Sequence, residues 1–175
     1  MQSLTIAVGL LCANTFLLDK PANTEQKKPP LHQHPTLLDM LKRNNELRRS
    51  QELRSHRINP LLTKAAQDHA WFMARTGQFS HFSNGDPKKR ATKFGYQGSL
   101  RENIALGQTS VKEAFQDWRN SNGHWRSIIS KTTDAGFGYA ISKDGQTYWV
   151  AVYGTPVEEN PNDEIPNDER KPKSE

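Results

Sequence analysis

Between residues 36 and 156 apolar positions recur with two different periods, and each period predicts a different kind of element. Thr36 followed by Asp39 has the form of a capping box, opening a helix that runs to about Arg54. Asn59 before Pro60 starts a second helix, which Gly77 should stop. Ser110 with Glu113 opens a third, in which Val111, Ala114, Phe115 and Trp118 fall at i, i+3, i+4 and i+7 and form one stripe to be buried. The period then drops to two. In DAGFGYAISKDGQTYWVAVYG two alternating strands flank a turn containing Asp144 and Gly145. Phe137, Tyr139 and Ile141 share one face of its first strand. Gly136, Gly138 and Ala140 share the other, where their small size lets a helix or another backbone come close. SLRENIALG, residues 99 to 107, adds a further strand. The predicted fold class is α+β: a small antiparallel sheet flanked by helices.

That last strand places Glu102 on the same face as Ile104 and Leu106, and a carboxylate on an apolar face must neutralise or find partners. His81 and His124 lie on predicted loops beside helix ends and are candidates. His69, near the stripe of Leu62, Ala66 and Met73, reads as a hydrogen-bonded core residue, and His56, among Arg and Ser, as surface. Two histidines and a carboxylate are also a known zinc set with water in the fourth position, but HExxH and the other contiguous zinc signatures are absent. On local grounds a structural His–Glu cluster is favoured over a metal site. The single cysteine, Cys12, excludes an intrachain disulfide and leaves no thiol nucleophile in the folded part. No GxSxG elbow or phosphate-cradling glycine loop occurs, and Ser80 and Ser121 adjoin histidines only in sequence.

The ends of the chain differ from its middle. The apolar run Leu4 to Leu18 is shorter than the roughly 20 residues of a membrane span and suits a signal-peptide core, so residues 1–18 are expected to direct export, with an uncleaved anchor as the alternative. Residues 19–35 form a Pro/Lys-rich linker in which His32 and His34 are incidental. Residues 157–175, with their PNDE repeat, are expected to be a disordered acidic tail of net charge −4. Residues 36–156 carry 18 basic and 10 acidic groups, net +8. Such an excess could favour anionic lipid or cell-wall polymers, but the scattered charges read first as a solvated surface. Nucleic acid is not among the expected partners, because no motif for it accompanies the scattered charges.

Six motifs in order resemble the CAP superfamily, the cysteine-rich secretory, antigen 5 and pathogenesis-related 1 proteins, in its cysteine-poor bacterial, SCP-like form. They are NNELR at 44–48, NPLLTKAAQDHAWFMA at 59–74, FSHFSNGDPKKRATKFGY at 79–96, RENIALG at 101–107, DWRNSNGHWRSII at 117–129 and the GFGYA…YWVAVYG hairpin. The likeness covers residues 36–156. It implies an α-β-α sandwich around a small antiparallel sheet, in a protein that is secreted or held at the cell envelope. It also implies a cleft of two histidines and two glutamates able to hold a divalent metal such as zinc. Matched by residue, the histidines are His81 and His124 and one glutamate is Glu102. The second glutamate's place, three residues after Trp118, is taken by Ser121, so the set is incomplete and a metal is expected to be held weakly at most. Asn45 and Arg48 are expected to support structure. The function implied is a non-enzymatic domain whose cleft binds a lipid, peptide or wall component. The alternatives are a metal-assisted hydrolase, in which the ion activates water, and an adhesion module for anionic surface polymers.

Overall fold

The computed structural model describes residues 29–157. The signal-like run with Cys12, most of the linker and the acidic tail lie outside the described residues. After a short turn at Leu31–Gln33, helix α1 spans Pro35–Arg49. It is not opened by a capping box at Thr36. His34 occupies the N-cap without a side-chain bond, and Pro35 starts the first turn, its fixed φ preorganised for helix. The helix also ends five residues earlier than expected. Glu52 adopts φ +58 and the Arg48 carbonyl accepts from Leu53 N, so the chain reverses there.

A two-residue strand, β1 at Arg57–Ile58, leads into α2 at Pro60–Thr76. The boundaries of α2 follow its local signals: Asn59 Oδ1 accepts from Leu61 N and Leu62 N, and Gly77 ends it at φ 71. A short helix that the hydrophobic pattern did not announce, α3, follows at Pro87–Lys93, capped by Asp86 Oδ1 accepting from Lys89 N. Then come β2 at Gly98–Leu106 and α4 at Val111–Asn120, whose Ser110 cap and stripe of Val111, Ala114, Phe115 and Trp118 are as predicted, all four buried. Helix α5, Asn122–Ile128, starts almost at once, so His124 sits in a helix rather than on a loop. The hairpin of β3, Asp134–Ile141, and β4, Thr147–Pro156, completes the sheet, with Gly145 at φ 84 in its turn.

The strand order is β1-β3-β4-β2. The three long strands are antiparallel, and the short β1 adds a parallel edge to β3. Alternation along β2, β3 and β4 sends side chains into two separate cores. Ile104, Ala140, Val150 and Val152 meet Leu62, Ala66, Ala70 and Met73 of α2 and Ala91 of α3. On the other face Ala105, Phe137, Trp149 and Tyr153 meet Met40 and Leu47 of α1, Phe115 and Trp118 of α4 and Ile128 of α5. The α-β-α layering is thus a direct reading of strand period two. Gly136 and Gly138 let α2 approach: a Cβ at Gly136 would lie 2.2 Å from the Leu62 carbonyl carbon, and one at Gly138 2.4 Å from that of Ala66.

His56 is buried, not on the surface. Asn45 brackets its backbone, donating to His56 O at 3.0 Å and accepting from His56 N at 2.9 Å. Asn44 Nδ2 donates to its Nδ1 at 3.0 Å, so Nε2–H donates to Thr132 Oγ1 at 2.9 Å. Burial, and next the nearby charge of Arg48, push its pKa down to about 3. Arg48 supports structure as expected. Its guanidinium donates to the carbonyls of Arg54, Ile128, Ser130 and Thr132, binding the 128–132 loop to the end of α1.

Candidate functional site

Glu102 has the company its position demands. Its side chain is 2 % exposed and points to the α2–α3 layer. Oε1 accepts from His81 Nδ1 at 2.9 Å, and Oε2 accepts from Arg90 Nη2 at 2.5 Å. Arg90 is buried to the same degree. It was not among the candidates, although a cation is the partner that best offsets a buried carboxylate. A local signal for it exists: Asp86-Pro87 opens a helix, and a residue four positions after the Asp86 cap lies at the end of its first turn.

Arg90 also shapes the loop that carries His81. Its Nη1 donates to the carbonyl of His81 at 3.0 Å and to that of Gly85. Asn84 Nδ2 ties the same loop back to Asp68 of α2 at 2.9 Å. His81 is therefore held from both sides, by its backbone and by Nδ1. With Nδ1–H donating to Glu102, a neutral His81 presents Nε2 as an acceptor, on a side chain 39 % exposed.

The next residue along β2 holds the other histidine. Asn103 faces the opposite layer, and its Nδ2 donates to the His124 carbonyl at 3.0 Å. Adjacent residues of an edge strand thus fasten one histidine-bearing segment in each layer. Burial first, and then His81, lower the pKa of His124. Ser121 stands at the α4–α5 junction, where its hydroxyl does not cap α5.

His69 departs from expectation. It is fully buried on α2, where only the Ser80 backbone comes near its ring and neither nitrogen makes a well-formed hydrogen bond among the described residues. Burial dominates in pushing its pKa down to about 4, with Glu102, Arg90 and His81 all near enough to act on it. Phe79 and Phe82, which flank His81 in sequence, are 42 % and 74 % exposed.

The donor set fits a metal ion poorly. Both oxygens of Glu102 are engaged, one by a cation that already neutralises it. Among the described residues no group of three or more His, Cys, Asp or Glu is gathered as a metal would require.

Comparison with known proteins gives one consistent result. Residues 41–153 match the model of the CAP family, described as the cysteine-rich secretory protein family. YkwD of Bacillus subtilis is 33% identical over 102 residues, a segment that is 56% of this chain and 40% of that relative. An outer surface protein of Borrelia burgdorferi superposes with TM-score 0.64 at 22% identity, over 70% of this chain and 93% of its own. An extracellular SCP-domain protein of Bacillus anthracis does so with TM-score 0.60 at 24% identity, over 67% of this chain and 39% of its own. Both structural neighbours share the fold. Among the described residues no helix is long and apolar enough to cross a membrane.

Proposed function

Since the chain belongs to the CAP, cysteine-rich secretory protein family, we propose that it is an exported, non-enzymatic binding domain whose site is the edge of β2 around His81, Glu102 and His124. The observation that carries this reading is the double engagement of Glu102. A carboxylate bonded through both oxygens, one to a buried guanidinium, is a positioning group. At 2 % exposure and paired with a guanidinium, it is out of reach of a substrate and poorly suited to take a proton from one. It fixes one tautomer of His81 and so aims Nε2 outward. Export rests on the extracellular and outer-surface neighbours and on the apolar run at 4–18.

The ligand this site suits has a hydrogen-bonding group for the imidazoles and an apolar part for Phe79 and Phe82, as an acylated headgroup or an apolar peptide has. A hydrolase reading would use His81 Nε2, oriented by Glu102, as its base, and would also need an activated nucleophile or ion beside it; no group of three or more His, Cys, Asp or Glu is gathered among the described residues to hold an ion. The test is native mass spectrometry of the protein purified from its own host, with and without His81→Ala/His124→Ala. A co-purifying amphipathic molecule lost from the variant, at unchanged melting temperature, is the expected result. Ester or peptide hydrolysis by the unaltered chain that vanishes in the variant would overturn the proposal.

A further inference from the structure

A second site lies at the end of the sandwich, and it does not depend on the reading of the β2 edge. A hollow of about 780 Å³ is lined by Ser99, Arg101, Arg126, Lys131, Thr132 and Thr155, with Leu100, Ile129 and Ser130 between them. A second, of about 580 Å³, adjoins it across Lys131 and Thr132 and includes Arg48, Arg54 and Arg57. No Asp or Glu lines either hollow. Arg54, Arg101, Arg126 and Lys131 are exposed and take part in no ion pair among the described residues; Arg57 pairs with the buried Asp134. Unpaired like charges repel one another, and nothing in the cores needs them there.

The arrangement has a length as well as a sign. Arg57, Asp134, Gly154 and Leu100 stand opposite one another in register, one on each strand of the sheet from β1 to β2. The two hollows therefore span its full width, about 14 Å at roughly 4.8 Å per strand. This exceeds the reach of one phosphate or carboxylate. The floor is preorganised, because Arg48 holds the carbonyls of Ile128, Ser130 and Thr132 and so fixes the loop that presents Lys131. Guanidinium groups suit phosphate oxygens through paired donors. No aromatic side chain lines either hollow, so there is nothing on which a nucleobase could stack.

We infer that the track Arg101–Arg126–Lys131–Arg54–Arg57 binds an extended phosphate-bearing polymer without bases, of the kind found in cell envelopes. Long-chain polyphosphate is the probe, titrated against the full chain at 50 and 200 mM salt. Affinity should fall about 100-fold across that interval, and Arg101→Gln/Arg126→Gln/Lys131→Gln should weaken low-salt binding at least about tenfold and cut the salt slope by about 2. The control Lys64→Gln/Lys88→Gln/Lys89→Gln removes the same charge from exposed positions of α2 and α3, and should change affinity less than about threefold. Melting curves confirm that both variants fold. Equal losses in the two triple variants would reduce the effect to net charge and overturn the assignment. So would inorganic phosphate binding as tightly as the polymer, or oligothymidylate binding more tightly than polyphosphate of equal charge.

Discussion

Arg90 and Glu102 form an ion pair at 2.5 Å in which each side chain is 2 % exposed. The pair also joins three parts of the chain, since Arg90 holds the carbonyls of His81 and Gly85 and Glu102 holds His81 Nδ1. Removing one charge from such a pair leaves the other buried and uncompensated, typically at a loss of about 3–5 kcal/mol, whereas removing both costs much less. Arg90→Met and Glu102→Met should each destabilise strongly in urea unfolding, and the double variant should recover a large part of the loss. Additive losses would show that the two do not act as a pair.

His56 gives acid unfolding a particular source. The folded chain keeps it neutral down to about pH 3, whereas the unfolded chain takes up a proton at the ordinary value of 6.5. Below 6.5 the unfolded state therefore binds more protons, and stability falls with pH by up to about 1.4 kcal/mol per unit from this group alone. Its contribution is fully present above 6.5 and is lost progressively toward 3. His69, neutral to about pH 4 when folded, adds a slope of the same sign, so denaturation at pH 7, 5.5 and 4.5 should show both contributions and His56→Gln should remove about half of the dependence.

Arg48 donates to four carbonyls that a lysine could not reach together. Arg48→Lys should therefore lose about 2–3 kcal/mol, with backbone groups left unbonded. Amide hydrogen exchange should accelerate at residues 128–133 more than in α2. Protection left intact in that loop would show that Arg48 does not anchor it.

Gly138→Ala should destabilise by about 2–3 kcal/mol, the range of overpacking against a backbone that cannot move aside, because its Cβ would fall 2.4 Å from the Ala66 carbonyl. Gly123→Ala is the comparison. Nothing lies within 4 Å of a Cβ there and φ is not positive. It should be neutral or stabilise α5 by up to about 1 kcal/mol. Thermal unfolding of the two variants checks both.

What could be read from the sequence was whatever local chemistry decides. Asn59, Pro60 and Gly77 bound α2 through bonds within one turn, and Gly136 and Gly138 mark a close approach because only size is at stake. Glu102's need for partners follows from its face of the strand, and His81 is a candidate from its place beside a helix end, whereas Arg90 is not marked, since tertiary folding alone brings α3 against β2. His56 was misjudged for the same reason: its bonds come from Asn44, Asn45 and Thr132, at 12, 11 and 76 residues' distance. Two-residue β1 is too short to show a period, and Asn122-Gly123 disguised the start of α5.

Because β2 borders only β4, a single ladder sets its alignment. A slip by one residue would turn Glu102 away from Arg90 and toward the layer of Phe115, Trp118 and Ile128, burying a bare carboxylate there. The same slip would bring Asn103 to the α2–α3 side and release His124. Misaligned chains are thus penalised twice over, once in each layer. The buried charge that looks out of place in RENIALG acts as a proofreader of strand alignment while the sheet assembles.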